Sequence, residues 1–157
     1  MRSTTLCLPV QGRPAERILL GLKKTGFGSG KYNGFGGKFE EGETAAAAAV
    51  RELKEECGLA ANEADLEYVG ELQFVFPASP ELDHDVQLYV VHTWRGEPQE
   101  SPEMKPEWFA TADIPYKQMW ADDIYWLPAV LKGKKISGRV IFAENNEDVE
   151  DITIRSK

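Results

Sequence analysis

Cysteine and histidine are scarce in this chain, with two of each among 157 residues. Neither cysteine has a metal-ligand spacing, and His84 and His92 stand too isolated for a zinc centre. Cys7 falls in a strand-like stretch and Cys57 on the apolar side of a helical one. Both read as buried thiols of a reducing compartment, so a cytoplasmic location is expected. Long apolar runs are also missing. No stretch approaches the ~18 residues that a membrane span takes, and Met1-Arg2-Ser3 leads straight into a strand-like segment. Neither a membrane anchor nor a signal peptide is expected. Positive charge is in deficit, with 18 Lys and Arg against 26 Asp and Glu and a net charge of −8. That disfavours a broad polyanion-binding surface and makes nucleic acid an unexpected partner. A single nucleotide stays open, because its phosphates can be held through a cation and one or two lysines.

What is present suits one globular domain over residues 1–157. Hydrophobic residues make up 42% and charged residues 28%, and nothing in the chain demands more than a monomer. The most informative stretch is Gly37 to Leu59, GKFEEGETAAAAAVRELKEECGL. Its alanine run favours a helix, Thr44 suits the N-cap, and Gly58 suits a C-terminal glycine cap. Ala46, Val50, Leu53 and Cys57 recur at helical spacing as a core-facing stripe. Glu52, Glu55 and Glu56 share one arc of the same helix at i, i+3 and i+4. Like charges so placed repel, and a bound divalent cation turns that repulsion into ligation; an all-oxygen donor set suits Mg²⁺ or Mn²⁺. Arg51 can orient a carboxylate by a charge-assisted hydrogen bond. Gly34, Gly36 and Gly37 form a turn that lets backbone approach a ligand closely.

Hydrophobic patterning predicts strands at Thr4–Val10, Arg17–Leu22, Leu66–Val69, Leu72–Phe76, Val86–Trp94, Glu107–Phe109, Gly138–Phe142 and Asp151–Ile154. A second helix is predicted over Trp120–Leu131. A mixed central sheet with one helix on each side is an α/β/α sandwich.

All eight defining positions of the Gly37–Leu59 segment fit the Nudix box, so the chain resembles the Nudix hydrolases, whose fold is this sandwich. Three stretches outside the box narrow the likeness: Lys23-Lys24-Thr25-Gly26-Phe27-Gly28, Asn33-Gly34-Phe35-Gly36-Gly37-Lys38, and Met119-Trp120-Ala121-Asp122-Asp123-Ile124-Tyr125-Trp126. Together they resemble the animal-type oxidised-purine nucleoside triphosphatases, which are MutT homologues. The likeness departs in a longer first hairpin and at Ala121, where that family often has proline.

The resemblance implies Mg²⁺-dependent hydrolysis of 8-oxo-dGTP or 2-hydroxy-dATP to the monophosphate and pyrophosphate. Metal is expected on Glu52, Glu55, Glu56, the Gly36 carbonyl and Glu100. Glu56 is the expected general base, with Glu52 the rival and Arg51 and Glu43 in support. Lys23 and Lys38 are expected on phosphate. Trp120 is expected to stack on the purine, since an indole on a base contributes about 1–3 kcal/mol. Phe27, Phe74 and Phe76 are expected to wall it, with core packing the favoured role for Phe76; Phe35 is expected on the substrate, and Thr5, Asn33, Asp122 and Asp123 on the polar edge of the purine. Two acids in one apolar cleft should share a proton, one donating and the other accepting; the rival role for Asp122 is a helix cap. Alternatives that the sequence leaves open are a Nudix hydrolase of ADP-ribose, dinucleoside polyphosphates or ordinary dNTPs, and a nucleotide sensor without catalysis.

Overall fold

Nine strands and two α-helices make up the computed structural model, which describes residues 1–157. At the centre, β1 (Arg2–Gln11) runs parallel to β6 (His84–Val91). Beyond β6 lie antiparallel β5 (Leu66–Val75), then β8 (Ile136–Phe142) parallel to β5, then β9 (Val149–Ser156). On the other side, β4 (Phe35–Lys38) pairs with Thr4–Cys7 of β1, and β2 (Arg17–Lys23) pairs with its end at Val10 and Gln11. β2 also carries β3 (Tyr32–Asn33) and β7 (Met104–Ala110). The sheet is therefore mixed, as expected.

Strand alternation divides the core in two. Leu8 and Val10 of β1, with Leu88 and Val90 of β6, pack with Trp126, Leu127 and Val130 of α2 (Asp123–Leu131). Cys7, Tyr89 and Val91 point the other way, onto Leu53 and Cys57 of α1 (Ala45–Cys57). One helix covers each face. No helix is long and apolar enough to cross a membrane. Cys7 and Cys57 are both free and buried, and burial pushes both thiols up, Cys57 to about 12.

The α1 boundaries follow from their caps. Thr44 Oγ1 accepts the Ala47 amide at 3.1 Å, and Gly58 takes φ +80° and donates its amide to the Lys54 carbonyl. The buried stripe differs from the expected one: it consists of Ala48, Ala49, Leu53, Glu56 and Cys57, with Ala46 and Val50 only half-buried. The helix is turned so that Glu56 faces inward.

Other expectations are also corrected. The two strands expected at Leu66–Val69 and Leu72–Phe76 are one, ending at Val75 and bulged at Gly70, which takes φ +146° where a Cβ would lie 1.8 Å from the Ile136 carbonyl oxygen. Gly34–Gly37 is mostly strand rather than turn: β4 passes so close to β1 that a Cβ on Gly36 would lie 1.8 Å from the Thr5 carbonyl oxygen. β6 begins at His84 and ends at Val91. α2 begins at Asp123, because Met119–Asp122 form the irregular entry that carries the acids.

Candidate active site

One cavity of about 210 Å³ opens between β1, β4, β5, β6 and the entry to α2. At one end it is lined by Lys23, Gly36, Gly37 and Glu56, at the other by Phe27, Phe74, Trp120, Asp122 and Asp123; Thr5 and Asn33 also reach it. The structure thus gathers eleven expected residues from both ends of the chain around one space.

At the α1 end, Glu56 is 6% exposed, and its Oε1 accepts the Gly36 amide at 2.8 Å. Burial pushes its carboxyl up to about 8; the charges of Glu52 and Glu103 add to this, while the Gly36 amide and Lys23 oppose it. Burial also raises Glu52, against the pull of Arg51, with Glu55 and Glu103 adding repulsion. Arg51 ties the box together. Its Nε and Nη2 donate to the two oxygens of Glu43 at 2.8 and 2.9 Å, and Nη2 also donates to the Lys38 carbonyl at 3.0 Å. Its Nη1 donates to Glu52 at 2.9 Å and Glu55 at 3.3 Å. The Glu40 amide donates to Glu43 at 2.7 Å, so the loop before α1 hangs on the same fork.

At the other end, Trp120 lies between Phe27 (centroids 5.0 Å apart) and the edge of Phe142 (5.6 Å). Lys31 Nζ sits 5.2 Å over the indole and 2.8 Å from Glu147 of the β8–β9 turn. Asp122 and Asp123 are 1% and 4% exposed. Asp122 occupies the N-cap position of α2, yet its side chain does not cap; Oδ2 accepts Trp126 Nε1–H at 2.8 Å. Burial raises both acids, and the charge of Asp122 drives Asp123 further, well above the carboxylate range. Asp122 Oδ1, Asp123 Oδ2 and Thr5 Oγ1 are buried with no hydrogen-bond partner. The two aspartates can satisfy one another only when one of them is protonated, and Thr5 Oγ1 stays unmatched at the same cavity, a demand for a polar ligand.

Some expected residues lie elsewhere. Phe35 pairs with Cys7 across the β1–β4 ladder and is fully buried in the core under α1, because strand alternation turns it away from the cavity. Lys38 has an exposed side chain and engages Arg51 only through its carbonyl. Glu100 is exposed and ion-paired with Lys24. A second loop acid, Glu103, next to Met104 of the cavity lining, adds its charge to Glu52 and Glu56. Sequence reasoning also missed His84, which faces Phe74 across β5–β6; its alternation with Val86 and Leu88 was the available signal.

The acids at the α1 end present only oxygen donors and repel one another, which fits a hard divalent cation. Their carboxylates do not converge on one point. Arg51 holds Glu52 and Glu55, and the Gly36 amide holds Glu56. A wider groove of about 610 Å³ lies between the first hairpin and the end of α2; none of the expected site residues lines it.

Comparison with known proteins agrees with this geometry. The chain is 46% identical over 155 residues to an oxidized purine nucleoside triphosphate hydrolase of Danio rerio, covering 94% of this chain and 96% of that protein. It is likewise 46% identical to the protein of that description in Mus musculus, over 92% and 89%. A crystal structure of a MutT protein from Bacillus halodurans superposes with a TM-score of 0.83 at 22% identity, covering 98% and 97% of the two chains. The NUDIX domain family model matches residues 2–130, and with that extent of match and those relatives the chain belongs to the Nudix family.

Proposed function

We propose that this chain hydrolyses oxidised purine nucleoside triphosphates, of the 8-oxo-dGTP and 2-hydroxy-dATP type, to the monophosphate and pyrophosphate. The role is removal of damaged precursors from the nucleotide pool, by a monomer in the cytoplasm. The observation that carries the reading is the continuity of one cavity from Trp120 and the two buried aspartates to Glu56 and the Gly36–Gly37 strand. The relatives' substrate class points the same way.

The purine stacks on Trp120, and the Asp122–Asp123 pair meets its polar edge. A buried pair under mutual repulsion keeps one acid protonated, so one donates while the other accepts. Thr5 and Asn33 complete the edge. The triphosphate runs toward β4, where glycine lets the backbone approach it, and Lys23 supplies a positive charge beside Glu56. Glu52, Glu55, Glu56 and the Gly36 carbonyl would hold Mg²⁺, for which Mn²⁺ can substitute, with Glu103 replacing Glu100 as the loop acid. When bound, the cation supplies neutralisation of the phosphates and a water of lowered pKa. Glu56 is the proposed general base for attack at the β-phosphorus, with Glu52 the rival. Arg51 and Glu43 position the box carboxylates.

Pyrophosphate release across 8-oxo-dGTP, 2-hydroxy-dATP, dGTP, dATP and ADP-ribose tests the reading. The expected result is a kcat/KM at least about tenfold higher for an oxidised purine than for dGTP, a difference of roughly 1.4 kcal/mol. Preference for ADP-ribose or an undamaged nucleotide would discard the base pocket and leave the hydrolase; no turnover would point to a sensor.

A further inference from the structure

His84 is the one titratable side chain of the base-pocket wall that the proposed mechanism leaves unused. It stands directly opposite Phe74 in the β5–β6 ladder, so both rings share the cavity face of the sheet. Its ring lies against Phe74 with centroids 5.2 Å apart and planes 26° apart, and beside Phe76 at 6.2 Å and 16°. The imidazole is therefore held flat among aromatics. Its Nδ1 is 2.7 Å from the Leu82 carbonyl oxygen.

That contact decides the tautomer. A backbone carbonyl can only accept, so Nδ1 carries the hydrogen. In the neutral ring Nε2 is then left with a lone pair, and it has no hydrogen-bond partner in the protein. Burial holds the imidazole below its usual range. Arg2 acts in the same direction, while the Leu82 bond and the charges of Asp85 and Asp83 oppose it. The ring is thus mainly neutral at pH 7, and its Nε2 is an acceptor.

We infer that His84 is a specificity-determining residue whose Nε2 accepts the ring N–H that oxidation creates on a purine. The inference rests on the purine reading of the cavity. In 8-oxo-dGTP the N7 position carries a hydrogen, whereas in dGTP the same nitrogen presents a lone pair. An acceptor fixed on the wall gains a hydrogen bond from the first and meets lone-pair repulsion from the second. Discrimination of this kind, where a mismatched polar group is left unpaired, is larger than shape alone provides. The carboxyl pair at Asp122 and Asp123 can adapt by moving a proton, but a neutral imidazole fixed through Nδ1 cannot. The two devices divide the work: the aspartates tolerate different purine edges, and His84 requires the mark of damage.

The test compares kcat/KM for 8-oxo-dGTP and dGTP in wild type, His84→Phe and His84→Gln, at pH 5.5 and 7.5. Phenylalanine keeps a flat ring against Phe74 and Phe76 and removes the acceptor; glutamine offers a carbonyl oxygen in its place. Taking the ratio of two substrates cancels effects common to both, including those on the phosphate chemistry. At pH 7.5 the ratio is expected to fall at least fivefold in His84→Phe and to be partly restored in His84→Gln. In wild type it is expected to drop toward pH 5.5, as protonation turns Nε2 into a donor, and to drop less in His84→Phe. A ratio that stays within twofold of wild type in both variants overturns the inference while leaving the purine reading intact. A wild-type ratio near one removes both. Should His84→Phe not fold, the wild-type and His84→Gln pH profiles decide, and equal pH dependence in the two overturns the assignment.

Discussion

The carboxylate of Glu56 and the amide of Gly36 meet at 2.8 Å, joining the last turn of α1 to the strand inserted beside β1. Through this bond a helix-borne acid is held at the rim of a cavity whose far wall is aromatic. Replacing the acid by Glu56→Gln keeps an acceptor for the amide. Turnover is expected to fall by a factor of about 10²–10⁴, the range for loss of a general base, with the circular dichroism spectrum unchanged. A kcat within tenfold of wild type would transfer the role to Glu52.

The loop acid is best tested in parallel. Glu103→Gln is expected to raise the Mg²⁺ concentration needed for half-maximal rate by about 10-fold or more. Glu100→Gln, which loses only an exposed ion pair with Lys24, should leave it within about twofold. The reverse ranking would return the ligand role to Glu100.

Arg51→Lys removes the planar fork that grips Glu43 while retaining the charge. Because Glu52 and Glu55 are held by the same guanidinium, kcat is expected to drop about 10- to 100-fold. KM for the nucleotide should change little, since Arg51 lies outside the cavity lining.

Truncating Trp120→Ala removes the stacking plate and its neighbour contact with Phe27. At about 1–3 kcal/mol per base, kcat/KM is expected to fall roughly 5- to 150-fold, expressed mainly in KM.

The buried acids also predict how stability depends on pH. Asp122 and Asp123 both titrate above their unfolded values, so the folded state binds more protons than the unfolded chain once pH exceeds the ordinary carboxylate range. Their contribution is complete below that range and is lost as pH rises above it through their raised folded values. Asp123→Asn, which cannot ionise, is expected to reduce the fall of Tm between pH 5 and pH 8 relative to wild type. An identical fall in both proteins would show that the site is not the source.

Much of the fold and the box were legible in the sequence because they rest on local rules. Thr44 and Gly58 marked the ends of α1, and the period of the glutamates placed them on one arc. What escaped depended on pairing between distant segments. The resemblance implies a substrate contact for Phe35, and only its ladder partner Cys7 shows that it faces α1. Glu100 and Glu103 are both loop acids that composition cannot tell apart; in the fold Glu100 is paired with Lys24, and the charge of Glu103 reaches Glu52 and Glu56. His84 gave no motif at all. Its position became visible once the register with Phe74 fixed the face on which it stands.

Strand β1 separates two tasks. Thr4 and Leu6 border the cavity while Cys7 lies beneath α1, so one extended segment lines the nucleotide cavity on one side and seats the box helix on the other. Substitutions on the two sides share few neighbours, and their free-energy effects should add when combined. A lineage could therefore exchange the nucleobase it recognises, one pocket residue at a time, without rebuilding the apparatus that breaks the bond.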